Sequence, residues 1–358
     1  MFDPGFCCCS QPNLYKYCLF FFHKMLCLGI ESTAHTFGAS VVDDSGKVLS
    51  NEKVMFVTEK GEGGMIPNEV AKHHRQHRDE VIKKALDSAN VGMKDISLVS
   101  FSRSPGLAPS LVVGLETAKE IASKNKIPLI GVNHCIAHLE IGNLKTKSKD
   151  PVLLYASGVN TQVIAYEAGK YRIFGETLDI GIGNFLDSFA RHAGLGFPGG
   201  PKLEKLAEKS GMKKKGGIIE LPYVVKGMDV SFGGLLTNLK QKFDSKRYKI
   251  EDLAFSMQET VFAMLIEVSE RAMAHTGKKE LLLGGGVACN SRLQEMARIM
   301  CRERKAKCFV PERQFLIDNA AMIAWLGVLE HKAGIRKDIN KWDIDPYERT
   351  DDVEVKWR

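Results

Sequence analysis

Twice along this chain an apolar strand runs into a short turn of small and hydroxylated residues and returns as a second strand. The first copy predicts a strand over 26–30, the polar turn Glu31-Ser32-Thr33-Ala34-His35-Thr36 and a strand over 37–42, closed by Asp43-Asp44-Ser45-Gly46. The second predicts a strand over 152–156, the turn Ser157-Gly158-Val159-Asn160-Thr161, a strand over 162–167 and the hairpin Ala168-Gly169-Lys170. Ser32 corresponds to Ser157 and Thr36 to Thr161. An internal duplication of this kind favours two similar lobes facing each other across a cleft. Turns of this composition offer hydroxyls and backbone N–H groups to an anion; one alone is only a tight hairpin, but two in register point to a nucleotide cleft. Between the copies, strands over 96–102 and 128–132 alternate with helices over 68–90 and 110–124 and a helix opening at Asn133 or His134, which predicts an α/β architecture.

That last helix carries His134 and His138. Four residues apart, they project from one face, one turn from each other, and supply two of the three protein ligands of a divalent-metal site. The oxygen donor in the most suggestive setting is Asp318, within Phe315-Leu316-Ile317-Asp318-Asn319-Ala320-Ala321-Met322, so a metal there would clasp two distant parts of the chain. The alternative from pattern alone is a packed or capping pair. His73 and His77 share the spacing, but they lie in a helix whose Val70, His74, His77, Val81 and Ala85 form a stripe, and no acid or cysteine pairs with them in a comparable glycine-rich context. They read as helix-face or interface residues.

Leu281-Leu282-Leu283-Gly284-Gly285-Gly286-Val287-Ala288-Cys289-Asn290 takes an apolar strand through a triple glycine into a helix, with Ser291 and Gln294 as the expected capping box. Three glycines exceed what turning needs and predict close approach of a nucleoside to the backbone. The run from Gly194 to Gly199 satisfies GxGxxG, but it follows a helix and contains Pro198, so it is no dinucleotide fingerprint. Asp187 and Glu204 flank this loop, and pattern alone makes them solvated or capping carboxylates.

A net charge of +7 permits a polyanionic partner without demanding one, and lysine-rich stretches over 202–215 and 240–249 would become a phosphate track with an RNA substrate. Four of the nine cysteines fall within residues 1–24 and no CxxC occurs, which argues against a zinc ribbon or disulfide framework and fits a reducing cytosol. The longest strongly apolar run, 17–22, is too short to span a bilayer. Residues 1–24 lack periodicity and the marks of a secretory signal, and read as an unstructured extension or misassigned start before Met25.

Gly29-Ile30-Glu31-Ser32-Thr33-Ala34-His35, Asn133-His134-Cys135-Ile136-Ala137-His138, Ser157-Gly158-Val159-Asn160-Thr161-Gln162, Asp179-Ile180-Gly181-Ile182-Gly183-Asn184, Gly284-Gly285-Gly286-Val287-Ala288-Cys289-Asn290 and Asp318-Asn319-Ala320-Ala321-Met322 occur in that order. Together they resemble the tRNA threonylcarbamoyladenosine transferase (TsaD-like) family, in the archaeal and eukaryotic branch that supplies the catalytic subunit of the KEOPS complex. The resemblance runs from Met25 to Arg358. It implies an actin/Hsp70/sugar-kinase-like (ASKHA) fold of two duplicated ribonuclease-H-like lobes around a nucleotide cleft, here 25–150 and 151–358, with the C-terminal segment packing back on the first lobe. It also implies one metal ion per subunit, iron or alternatively zinc or another divalent ion, held by His134, His138 and Asp318 with Tyr155 beside it. The same resemblance puts Tyr155, Ala156, Ser157, Gly158 and Val159 against the substrate phosphate, and Asp187, Gly200, Glu204 and Asn290 around the nucleoside.

The implied reaction is acyl transfer from threonylcarbamoyl-AMP to N6 of the adenosine 3′ of the anticodon in tRNAs reading ANN codons, with AMP released. No side chain identifies itself as a general base. The implied partners are tRNA, threonylcarbamoyl-AMP and, as separate chains, a small atypical kinase, a dimerising subunit and a kinase-binding regulatory subunit, all in the cytoplasm and away from membranes. The helix bearing His74 and His77 is the surface expected for one of these subunits. Three residues depart from the pattern: Ser104 and Ala108 stand where glycines are expected, which bears on loop flexibility, and Val159 where many members carry glycine, which bears on the shape of the phosphate turn.

Three rival functions fit parts of the sequence. A zincin metalloprotease needs a glutamate after its first histidine, and Cys135 stands there. An ATPase or sugar kinase could use the duplicated turns, but Mg²⁺ prefers oxygen ligands and leaves the histidines unexplained. An RNA-binding scaffold suits the basic stretches but not the glycine-rich cleft.

Overall fold

The computed structural model describes residues 24–57, 65–212 and 217–358; residues 1–23 of the leading extension and Lys213, Lys214 and Lys215 of the basic stretch lie outside the described residues. The first repeat forms β1 (Leu26–Glu31) and β2 (Thr36–Asp43), an antiparallel pair in register from Leu26 opposite Asp43 to Glu31 opposite Gly38. β3 (Glu52–Met55) adds to the free edge of β2, while β4 (Leu98–Ser104) and β5 (Leu129–Asn133) continue the sheet in parallel beyond β1, giving the order β3-β2-β1-β4-β5. The second repeat forms β6 (Val152–Ala156) and β7 (Thr161–Glu167), followed by β8 (Lys170–Glu176). A short hairpin of β9 (Val225–Lys226) and β10 (Asp229–Val230) intervenes before β11 (Glu280–Gly284) and β12 (Lys307–Phe309). The second sheet has the order β12-β11-β6-β7-β8, the topology of the first repeated. β1 and β6 are covered on both faces, which is why they read as continuous apolar runs rather than alternating ones.

Helices α1 (Pro67–Ala89), α2 (Ala108–Asn125) and α3 (His134–Thr146) accompany the first sheet. α4 (Ile182–His192), α5 (Gly200–Glu208), α6 (Gly233–Asp244), α7 (Ile250–Thr276) and α8 (Ser291–Glu303) enclose the core of the second. The short α9 (Arg313–Leu316) leads to α10 (Ala320–Lys332), which crosses back to pack on β1, β2 and α3. Gly29 makes this approach possible: a Cβ there would lie 2.4 Å from the Ala320 carbonyl oxygen and 2.5 Å from the Ala324 nitrogen.

One expectation about α1 is corrected. Val70, His74, Val81 and Ala85 are buried, with the His74 ring 5.6 Å from Phe37 and its Nε2 2.8 Å from the Ala34 carbonyl, which it meets as a donor. Apart from His77, the stripe is the core face of α1 and is closed to a partner. His77, half-buried, turns Nδ1 to the His73 carbonyl at 2.8 Å.

Candidate metal centre and nucleotide cleft

β5 ends at Asn133, whose side-chain oxygen accepts hydrogen bonds from the backbone N–H groups of Cys135 (3.0 Å) and Ile136 (3.2 Å) and so starts α3. His134 is therefore the first helical residue and His138 lies one turn on, their ring centroids 4.8 Å apart. Asp318 arrives in the same way: Asn319 caps α10 by accepting from the Met322 N–H, and Asp318 immediately precedes it. One Asp318 oxygen, Oδ1, lies 3.4 Å from His134 Nε2 and 3.3 Å from His138 Nε2, and the three donor atoms are within 4.8 Å of one another.

The imidazoles are held from behind. Glu31, fully buried at the end of β1, sets Oε2 3.0 Å from His134 Nδ1 while its Oε1 accepts from the Thr33 N–H at 2.7 Å. With Nδ1 bonded to Glu31, Nε2 is the nitrogen directed at the donor cluster. Burial depresses the His134 pKa, but the Glu31 and Asp318 carboxylates outweigh it and hold the ring well above its ordinary value. Burial dominates at His138, which is lowered. For Asp318, burial acts upward but is overcome by His134 and His138, which hold the carboxyl well below the usual range. Two imidazole nitrogens and an ionised carboxylate form a set that fits iron(II) or zinc with positions left open for substrate. His138 Nδ1 is buried without a partner among the described residues, and the Tyr155 ring lies 5.0 Å from the His138 ring.

The second repeat's turn is built around Ser157, whose Oγ donates to the Asn160 carbonyl at 3.0 Å and whose own carbonyl accepts from the Gly183 N–H at 2.9 Å. The Ile182 N–H goes to Thr161 Oγ1 and that of Asn184 to the Gly158 carbonyl, so the first turn of α4 clamps the loop. Gly181 and Gly183 are required by this clamp, since a Cβ would meet the Val159 oxygen at 2.2 Å and the Gly158 Cα at 2.6 Å. Ala156 is buried, while Gly158 and Val159 are exposed at the tip, where the Val159 side chain points outward without conflict. Ser104 likewise is accommodated: its hydroxyl donates to Glu348, anchoring the loop, while Ala108 simply opens α2.

Asp187 on α4 accepts from the Gly199 N–H at 2.7 Å, and burial raises its pKa. Gly200 opens α5, and one turn later Glu204 accepts from the N–H (2.8 Å) and hydroxyl (2.6 Å) of Ser291. The chain thus brings the starts of α5 and α8 together beside the glycine turn. Two expectations change there. The capping box of Ser291 and Gln294 does not form; Asn290 caps α8, accepting from the Arg292 and Leu293 N–H groups, because the turn leaves it with extended backbone one residue earlier. Of the three glycines, Gly285 (φ +86°) serves packing, as a Cβ would sit 2.3 Å from the Ala156 oxygen, whereas a Cβ on Gly286 would meet only Ile317 Cγ2, at an ordinary 3.8 Å.

Three side chains not assigned to the site from the sequence lie in it. Glu31 ends an otherwise apolar strand, a signal available in the sequence. Lys53 on β3 donates from Nζ to the Asp318 carbonyl at 3.0 Å. His35 from the first lobe meets Phe197 of the second edge-to-face, with centroids 6.1 Å apart.

The duplicated sheets define a two-lobed α/β protein with the actin/Hsp70/sugar-kinase fold. Among solved structures with this fold, HypF from T. kodakarensis (TM-score 0.57, 16% identity) covers 86% of this chain and 48% of its own. The activator of 2-hydroxyisocaproyl-CoA dehydratase from Clostridium difficile (TM-score 0.51, 12% identity) covers 88% of this chain and 99% of its own. The family model described as TsaD, tRNA N6-adenosine threonylcarbamoyltransferase, matches residues 47–325. Proteins of that name from Thermococcus sibiricus and Thermococcus kodakarensis are each 53% identical over 333 residues, 93% of this chain and 100% of theirs. A probable bifunctional tRNA threonylcarbamoyladenosine biosynthesis protein from Methanocaldococcus jannaschii is 49% identical, over 93% of this chain and 60% of its own. The chain belongs to the tRNA N6-adenosine threonylcarbamoyltransferase family.

Proposed function

We propose that this protein transfers the threonylcarbamoyl group of threonylcarbamoyl-AMP to N6 of the adenosine 3′ of the anticodon in tRNAs reading ANN codons. Family membership supports the acyltransferase reading, and the observation that carries its chemistry is the convergence of His134, His138 and Asp318 beside the Ser157 turn. In the reaction N6 forms a bond to the carbamoyl carbon, the carbon–oxygen bond to the phosphate breaks, and AMP departs with the electron pair. The N6 proton passes to the departing phosphate or to solvent. A divalent ion, iron or alternatively zinc, when bound by these three ligands supplies a Lewis acid beside the phosphate and carbonyl. Tyr155 walls that position, the turn from Ser157 to Val159 receives the phosphate, and Asp187 and Glu204 accept from ribose hydroxyls, with Asn290 and Gly200 shaping the floor. An adenine amine is a weak nucleophile, so orientation by these residues carries most of the acceleration.

The basic stretch over 240–249 gives the tRNA a phosphate track. A small kinase, a dimerising subunit and a kinase-binding regulatory subunit complete the working assembly in the cytoplasm. The longer relative with a bifunctional name supports a second activity acting alongside this one. No helix among the described residues is long and apolar enough to cross a membrane.

The test supplies the chain and its partner subunits with unmodified tRNA reading ANN codons and threonylcarbamoyl-AMP, then digests the RNA to nucleosides for mass spectrometry. The expected product is threonylcarbamoyladenosine. Folded protein that hydrolyses ATP but never modifies tRNA would establish the ATPase reading instead.

A further inference from the structure

Lys53 stands on the edge strand β3, opposite Gly38 of β2, yet its side chain turns inward to the Asp318 carbonyl. It is half-buried, and among the described residues it makes no ion pair. The carboxylates that face it, Asp318 and Glu31, are already engaged by His134, His138 and Thr33. An ammonium held this way, with a carbonyl oxygen as its protein partner, lacks a counter-charge that a ligand can supply.

We propose that Lys53 binds the carboxylate of the threonyl moiety of threonylcarbamoyl-AMP. This rests on the function proposed above and names the residue that recognises the amino-acid end of its substrate. The adenylate has two anionic groups. Its phosphate adjoins the adenosine, and the residues suited to both, Asp187, Glu204 and the turn at Ser157 to Val159, belong to the second lobe. The threonyl carboxylate lies at the opposite end, beyond the carbonyl that is attacked. A substrate seated from the second lobe and reacting beside Asp318 presents that end to the first lobe, where Lys53 is tied to Asp318 itself. A lysine ammonium can donate two further hydrogen bonds while keeping its bond to the carbonyl.

The experiment compares the full chain and its partner subunits, as wild type, Lys53→Met and Lys53→Arg, on two substrates: threonylcarbamoyl-AMP and an analogue in which a hydroxymethyl group replaces the carboxylate. Lys53→Met is expected to raise KM for threonylcarbamoyl-AMP roughly 10- to 100-fold, the range of a lost charge-assisted hydrogen bond, with Lys53→Arg recovering much of it. On the analogue, wild type and Lys53→Met are expected to be equal. Bound metal, measured by elemental analysis, should stay constant across the variants. Equal loss on both substrates, or falling metal content, would assign Lys53 to holding Asp318 and overturn the inference alone. A raised KM for tRNA with the adenylate unaffected would overturn it in favour of RNA phosphate contact. Absence of transfer by the wild type would overturn the proposed function and this inference with it.

Discussion

Glu31 decides which nitrogen of His134 faces Asp318. Its Oε2 lies 3.0 Å from Nδ1, and the Thr33 N–H fixes the other oxygen, so the carboxylate cannot swing away without losing both contacts. Glu31→Gln keeps the volume but permits either tautomer. It is expected to leave the fold intact and weaken metal binding roughly 10- to 100-fold in a competitive chelator titration; unchanged affinity would assign Glu31 a purely structural part. At this scale the sequence was legible where chemistry and spacing coincide. His134 and His138 declared themselves by helical period and Asp318 by its setting. Glu31 was passed over because an acid within a polar turn looks solvated until the strand's burial is known. Lys53 carries no local signal at all, since its partner lies 265 residues away.

Three asparagines do one job at the level of elements. Asn133, Asn290 and Asn319 cap α3, α8 and α10, and each stands at or beside a residue assigned to the site. A capped helix begins at a fixed residue, so the cap sets where the first-turn side chains point. Asn133→Ala removes the acceptor for two backbone N–H groups and is expected to cost about 0.5–2 kcal/mol in denaturant unfolding. Because His134 is the first helical residue, metal affinity should fall as well, and full affinity in a destabilised variant would show that the cap positions nothing. Asn133 was legible as the start of α3 because a strand-to-helix switch beginning with Asn is a local rule. The cap of α8 was displaced by one residue because the extended backbone of Asn290 follows from the packing of Gly285 against Ala156, a contact between segments far apart in sequence.

The whole molecule is held across its lobes by the C-terminal segment. Glu348 accepts from Arg103, Ser104 and Asn133 of the first lobe. Arg349 then pairs with Glu176 at 2.9 Å and Trp357 donates to Glu140 of α3 at 2.8 Å. Beneath this strap Glu330 is buried in a cavity of about 160 Å³ with Arg103, Trp342 and Glu348. Burial, reinforced by Glu348 and only partly relieved by Arg103, pushes its carboxyl up to about 8. The folded protein therefore keeps a proton that the unfolded chain releases near 4.5. This group's contribution to stability is full below that pH and declines as pH rises toward about 8, by an amount on the order of 5 kcal/mol. Glu330→Gln removes the penalty: wild type and variant should melt alike at acid pH, with the variant melting higher above neutrality. Parallel curves would place Glu330 in a solvated setting. The duplication was legible because both turns repeat their residue types, whereas the return of the C-terminal segment to the first lobe was expected only from the family resemblance, because its charges pair with residues scattered across both lobes.

In the function proposed here, tRNA modification depends on a metal ion held by His134, His138 and Asp318. The most direct test measures threonylcarbamoyladenosine formation from threonylcarbamoyl-AMP by wild-type protein, chelator-stripped protein, stripped protein reloaded with iron or zinc, and His138→Ala. Product from the wild type, its loss on stripping, its return on reloading and its absence in the folded His138→Ala variant are predicted. Full turnover by the metal-free protein or by His138→Ala would show that transfer needs no metal at this site.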